Sequence, residues 1–292
     1  MSLIRYPGGK QKLSKRIVGS LRRYMLDHKD CRYIEPFFGA GAIGWDLISA
    51  DLCKHVVIND IDPGMFCIWE AIERCPKELK QALIDFEPSV KAFDQFKEEL
   101  QDIHFLEDED TVEIAYKKIA CHQMSFSGLG TKAGSVPGGK NQTHEKYHVG
   151  CRYNPVSLCR QIDKMHRNIK NLESVEIVNG DFDYCLDIAN KDDLIYLDPP
   201  YYEKGPELYQ FSFTDEDHER MARCLKKSKS PWLLSYDDCP EIRDLYKFAV
   251  VESLPLNYTI NGSATKNELL IAPAKYADDL LYVEKPQDMF ED

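Results

Sequence analysis

The tetrapeptide Asp198-Pro199-Pro200-Tyr201 follows directly on the apolar run Leu194-Ile195-Tyr196-Leu197. A strand that runs into two prolines stops there, because proline has no backbone N–H to continue a ladder and its ring fixes φ. The prolines hold the Asp198 carboxylate and a backbone carbonyl in set directions, and an aromatic ring comes next in the chain. The carboxyl ends of α/β strands are where such folds bind ligands. Asp198, Pro199, Pro200 and Tyr201 are therefore the candidate catalytic residues: hydrogen-bond acceptors beside an aromatic face. The bland alternative is a strand stop with an incidental Asp and Tyr, and the position after a buried strand argues against it.

Three further segments could do chemistry. Glu35-Pro36-Phe37-Phe38-Gly39-Ala40-Gly41-Ala42-Ile43-Gly44 joins a short strand pattern to a helical one. Its glycines allow a sharp turn and close approach of the backbone to a ligand. Asp60 stands sixteen residues beyond Gly44, at the end of the next apolar run, where a carboxylate accepts hydrogen bonds from ribose hydroxyls. The segment satisfies Gly-x-Gly-x-x-Gly, so a nicotinamide dinucleotide, another nucleoside-bearing ligand and a purely structural turn all stay open. Arg5-Tyr6-Pro7-Gly8-Gly9-Lys10 brings backbone and an ammonium toward an anionic group, but lacks the spacing of a P-loop. His144-Glu145-Lys146-Tyr147-His148 matches the zinc-peptidase signature, which requires both histidines on one face of a helix. Its flanks, Pro137-Gly138-Gly139 before and Val149-Gly150 after, oppose a helix. A polar loop facing nucleic acid is the better reading, and no metal site is expected.

The elements that must position these residues follow from periodicity. Short β-branched or aromatic runs at 33–35, 56–58, 175–178, 194–197, 232–234, 249–251 and 269–271 read as strands. Residues 10–26, 63–74, 155–171 and 214–227 read as helices, the last opening on Thr214 as N-cap. Alternating strands and helices predict a parallel α/β sheet. The alternation breaks over residues 77–154: an acidic helical half precedes a Gly-, Ser- and Lys-rich half, 125–154, read as loop or hairpin. The tail after Lys275 reads as acidic and peripheral.

Composition narrows the class. At 292 residues, 43% hydrophobic and 29% charged, the chain is an ordinary globular one, with one large domain or one domain carrying an insertion. No apolar run reaches the roughly 18 residues of a membrane span, and the first residues lack the apolar core of a signal peptide. A cytoplasmic protein is expected. Ten cysteines without a Cys-x-x-Cys pair read as free thiols. The net charge of -12 argues against nucleic-acid binding by the whole surface, but residues 117–170 carry ten Lys/Arg against two acids, and residues 1–30 carry eight against two. Such local patches are what phosphate contacts need.

Taken together, these pieces resemble the Dam-type (D12 class) DNA adenine-N6 methyltransferases over most of the chain. Tyr6-Pro7-Gly8-Gly9-Lys10 resembles that family's N-terminal motif, and 33–42 its methyl-donor loop. Ile58-Asn59-Asp60-Ile61-Asp62 and Gly180-Asp181-Phe182 resemble the segments after its second and third strands. Asp198-Pro199-Pro200-Tyr201 is similar to its catalytic tetrapeptide. Phe213-Thr214 with Asp217-His218, and Asn261-Gly262-Ser263 before Glu268-Leu269-Leu270, fit as well.

The resemblance implies a Rossmann-like α/β sheet with helices on both faces and S-adenosylmethionine as cofactor. It implies a catalytic domain over 1–74 and 155–292, and a mainly helical target-recognition subdomain with a hairpin or loop over 75–154. It places Tyr6, Lys10, Glu35, Pro36, Phe37, Gly39, Gly41, Asp60, Asp181, Phe182 and Asp198 at the donor. Asp198 and the Pro199 carbonyl would hold the amine of a flipped adenine on which Tyr201 stacks. Lys132, Lys140, Lys146 and Arg152 would meet the phosphates of double-stranded DNA. The setting it implies is prokaryotic or phage-encoded, with a cognate restriction endonuclease as a partner in some members. The stretch 125–139 departs from the better-known members' Asn-Gly…Arg and Phe-Asn-Val-Pro runs, so their target sequence does not carry over. Amino-methylation of cytosine in DNA or adenine in RNA, an NAD-dependent oxidoreductase and a non-catalytic DNA-binding protein are the competing readings.

Overall fold

The computed structural model describes residues 3–4, 11–103, 111–208, 210–257 and 265–281. Tyr6, Lys10 and Asn261-Gly262-Ser263 lie outside these residues. The strands are β1 (Tyr33–Glu35), β2 (His55–Asp60), β3 (Ser174–Asn179), β4 (Leu194–Leu197), β5 (Trp232–Asp237), β6 (Val250–Asn257) and β7 (Thr265–Ala272). They form one seven-stranded sheet in the order β3-β2-β1-β4-β5-β7-β6. β1 to β5 run parallel, and β7 is antiparallel to both of its neighbours.

Side-chain alternation along the strands builds two cores, because successive residues point to opposite faces. Tyr33, Val56, Ile58, Leu194, Tyr196, Leu233 and Leu270 enter one core; Ile34, Val57, Ile195, Leu197, Leu234, Leu269 and Ile271 enter the other. The central strands are buried on both faces, so β4 reads as an unbroken apolar run rather than an alternating one.

On the first face pack α1 (Gln11–Asp27), α2 (Ala42–Ser49), α3 (Pro63–Arg74) and α7 (Pro155–Lys170); on the second pack α8 (Phe182–Ile188), α10 (Asp215–Lys227) and α11 (Pro240–Leu245). The short α9 (Gly205–Leu208) follows the tetrapeptide. Thr214 caps α10 in a reciprocal box: its Oγ1 accepts the Asp217 N–H, and the Asp217 carboxylate accepts the Thr214 N–H. Among the described residues no helix is long and apolar enough to cross a membrane.

The break between β2 and β3 is filled by α4 (Pro76–Asp85), α5 (Val90–Gln101) and α6 (Thr111–Met124). Leu79, Leu83, Phe93, Phe96 and Ile119 join the same core as Met65 and Trp69 of α3, so these helices pack outward from α3 and α7 as a further layer. The glycine-rich half holds one-turn 3-10 helices at Phe126–Gly128 and Gly130–Lys132 followed by turns, and no strand pair. Residues 144–148 lie in turns and are exposed, so no helical face brings the two histidines together. The start of the tail departs from the sequence reading: α12 (Ala277–Leu280) lies against α1, and Leu280 and Leu281 are buried rather than peripheral.

Candidate active site

Strand order reverses between β1 and β4, the topological switch point at which open α/β sheets bind ligands. The glycine loop leaves β1 and the tetrapeptide leaves β4, so these two segments end side by side.

The glycine loop is latched by its surroundings. Gly39 and Gly41 adopt φ of 48° and 68°, a left-handed region open chiefly to glycine. A Cβ on Gly41 would lie 2.5 Å from both Phe38 and Trp45. The Phe38 N–H donates to the Asn59 carbonyl at 2.9 Å, and Trp69 Nε1 donates to the Gly39 carbonyl at 3.1 Å. Asn59 Nδ2 donates to the carbonyls of Pro36 and Gly180, tying the turns after β1 and β3 together. The Asp60 carboxylate accepts the Gly39 N–H at 2.8 Å and the Asp62 N–H at 2.9 Å. Burial, and next the neighbouring Asp62 charge, push Asp60 up to about 7. Glu35 is buried; its carboxylate accepts from the Tyr33 hydroxyl at 2.7 Å, and burial pushes it well above the usual carboxylate range.

The tetrapeptide is held from β5 and β7. Ser235 Oγ, fully buried on β5, donates to Asp198 Oδ1 at 3.1 Å, and the Tyr196 hydroxyl lies 2.9 Å from the same Oγ. The Tyr201 hydroxyl donates to the Glu268 carboxylate of β7 at 3.3 Å. The Asp237 carboxylate accepts the N–H groups of Tyr202 and Glu203 at 3.0 and 3.2 Å, fixing the chain that leaves the tetrapeptide. Pro199 is buried, while Asp198, Pro200 and Tyr201 keep partial exposure.

The turn after β3 completes the carboxyl edge. Asp181 caps α8 by accepting the Asp183 N–H, and Arg220 of α10 grips its two oxygens at 2.9 Å each. Burial works to raise the Asp181 carboxyl, but the Arg220 and Asp183 N–H bonds outweigh it and hold it below the usual range. Arg220 also pairs with Asp183 and Asp217 and lies 4.3 Å over the Phe182 ring. Phe182 itself is buried against Phe37 and Phe213.

The structure thus gathers Phe37, Gly39, Gly41, Asp60, Asp181, Phe182 and Asp198 along one sheet edge, with Glu35 and Pro36 buried beneath it. The basic residues are more scattered than their sequence clustering suggests. Lys132, Lys140 and Lys146 are exposed, whereas Arg152 is half-buried with Nη1 3.5 Å from the Ser125 carbonyl. Lys117 pairs with Glu99 and Glu113, Lys118 is buried against Asp62, and Lys170 at the end of α7 pairs with Glu73 at 4.0 Å. Lys117 and Lys118 are thereby taken up by their partners, while Lys170 stays exposed. Phe126 is an exposed aromatic on the loop that carries Lys132. Sequence reasoning missed Ser235, Asp237 and Arg220 as site residues. The signal for the first two was their place at the carboxyl end of a strand; Arg220 offered none.

A mixed seven-stranded sheet with helices on both faces and a glycine loop beside an Asp-Pro-Pro-Tyr turn defines a methyltransferase of the Rossmann-like class. Its relatives agree in kind. The Type II methyltransferase M1.LlaDCHI of Lactococcus lactis subsp. cremoris is 25% identical over 273 residues, 90% of each chain. The Type II methyltransferase M.MjaIII of Methanocaldococcus jannaschii is 23% identical over 242 residues, 77% of this chain and 78% of the relative. The Type II methyltransferase M.CviBI of Paramecium bursaria Chlorella virus NC1A is 24% identical over 246 residues, 84% and 85% of the two chains. The model of the D12 class N6 adenine-specific DNA methyltransferases matches residues 6–260, and the chain belongs to that family.

Proposed function

We propose that this enzyme takes its methyl group from S-adenosylmethionine and places it on the N6 amine of an adenine flipped out of duplex DNA. The observation that carries the reading is the Asp198-Pro199 step at the switch point, fastened by Ser235 and facing the glycine loop. The residues of the edge fit such a donor: glycine backbone open to close approach, the Asp60 carboxylate at the end of β2 for ribose hydroxyls, and the aromatic ring of Phe37, with Phe182 buried behind it. Tyr6 and Lys10 are assigned to the same donor on the family motif alone. When bound, the donor supplies an electrophilic methyl on a sulfonium.

The protein's part is orientation. The adenine amine is a poor nucleophile because its lone pair is delocalised into the ring. The Asp198 carboxylate and the Pro199 carbonyl each accept one N–H, which favours a pyramidal nitrogen aimed at the methyl and stabilises the positive charge growing there. Tyr201 offers its ring to the base, whose extrusion costs about a few kcal/mol. Lys132, Lys140 and Lys146 supply phosphate contacts, with Arg152 behind them. The exposed Phe126 among them suits a loop that enters the duplex. The Type II relatives support a modification role beside a cognate endonuclease, in the cytoplasm of a prokaryote or of a virus-infected cell.

The test is incubation with S-adenosylmethionine and mixed-sequence duplex DNA, followed by mass spectrometry of the nucleosides, with Asp198→Ala in parallel. N6-methyladenine from the wild type only is expected. Near-normal turnover by the variant refutes the assigned role of Asp198, and methylcytosine corrects the acceptor.

A further inference from the structure

Lys118 and His122 of α6, and Ser125 just beyond its end, follow at spacings of four and three residues and so share one face. All three are buried, at 2%, 5% and 0% exposure. A buried ammonium is costly unless paired, and Lys118 Nζ lies 2.5 Å from Asp62 Oδ2. Asp62 caps α3 through the Gly64 N–H at 2.8 Å, and its own N–H donates to Asp60 Oδ1. Asp60 in turn accepts the Gly39 N–H. An unbroken series of bonds therefore leads from α6 into the glycine loop. At the other end of the stripe, His122 Nδ1 donates to the Gly128 carbonyl at 3.1 Å, and Ser125 Oγ accepts the Gly130 N–H at 3.0 Å. A glycine makes room at each end: a Cβ on Gly64 would lie 2.9 Å from Lys118 Cδ, and one on Gly130 would lie 2.7 Å from the His122 ring.

We propose that Lys118 is a positioning residue of the donor site, supplied by the same helix that anchors the basic loop. It holds Asp62, and through Asp62 the Asp60 carboxylate, in place for the donor. The inference rests on the donor reading given above.

Three charged groups act on Asp60: Asp62 from the start of α3, Lys118 from α6 and Glu35 from the end of β1. Burial and then Asp62 push Asp60 up to about 7, and Lys118 opposes them. Donor binding that needs the carboxylate must strengthen as pH rises through that region. Without Lys118 the Asp62 charge stands uncompensated, and the transition moves to higher pH.

The experiment is calorimetric titration of the full chain with S-adenosylmethionine from pH 6 to pH 9, using wild type, Lys118→Met, Lys118→Arg and the double variant Lys118→Met/Asp62→Asn. Lys118→Met is expected to weaken binding at pH 7 by about tenfold, the worth of one charge-assisted hydrogen bond, and to approach wild type by pH 9. Lys118→Arg restores the wild-type curve. A purely structural role would weaken binding equally at every pH, and that outcome, or superimposable wild-type and Lys118→Met curves, overturns the proposal. If Lys118→Met does not fold, the double variant carries the test, since removing both charges spares the protein an unpaired buried ion. Its transition is expected below that of wild type, because Asp62 outweighs Lys118 at Asp60, and an unmoved transition refutes the role. A wild type that binds no S-adenosylmethionine at any pH refutes the donor reading itself, and the Lys118 proposal with it.

Discussion

Replacing Ser235 with alanine removes one hydroxyl from the floor of the site and leaves every proposed contact with substrate in place. In the native structure that hydroxyl donates to Asp198 Oδ1 at 3.1 Å and has the Tyr196 hydroxyl at 2.9 Å. The same hydroxyl has the Leu197 carbonyl at 3.4 Å as a longer second acceptor. A hydrogen bond to a charged acceptor contributes about 1.5–3 kcal/mol. If that energy serves to hold Asp198 against the amine in the transition state, its loss slows turnover by about 10- to 150-fold. The Tyr196 hydroxyl also loses a buried hydrogen-bond partner, which costs about 0.5–1.5 kcal/mol of stability. Single-turnover methylation gives the first quantity and urea unfolding the second. Tyr196→Phe and the double variant close a cycle that separates them. A folded Ser235→Ala enzyme with turnover within about twofold of wild type would refute the view that this bond orients Asp198.

Two other expectations concern the proposed DNA surface and the glycine loop. Lys140→Ala/Lys146→Ala should weaken DNA binding evenly across sequences and reduce the slope of log K against log salt by about two, one for each phosphate left without its lysine; an unchanged slope, read by fluorescence anisotropy over a salt series, removes these lysines from the interface. Gly41→Ala combines a left-handed φ with a clash against Phe38 and Trp45, so destabilisation of about 2–3 kcal/mol is expected, and an unmoved urea midpoint contradicts it.

Much of the sheet was legible in the sequence because its central strands are buried on both faces and bounded by turns. The apolar runs at 33–35 and 194–197 coincide with β1 and β4, and Thr214 caps α10 as its neighbours suggest. What failed to show were partnerships across the fold. β5 reads as three apolar residues, Trp232 to Leu234, yet it extends through Ser235-Tyr236-Asp237, whose polar ends resemble a turn until β7 pairs with them. Arg220 sits on α10 in a run of charges, and only the approach of α8 brings it to Asp181. Lys118 counts as one more charge in a basic stretch until the packing of α6 on α3 buries it. Periodicity records which face of an element is apolar; it does not record which distant charge that face will meet.

The reversal of β7 decides which end of that strand serves the site. In a wholly parallel sheet, the last strand would deliver its end to the site and its beginning to the far side. Here β6 and β7 pair antiparallel, with Asn257 opposite Thr265 and Glu268 opposite Asp237, so β6 finishes and β7 begins at the carboxyl edge. Because β7 begins at that edge, Glu268 near its start meets the Tyr201 hydroxyl, a contact that a parallel last strand would have to supply from its end.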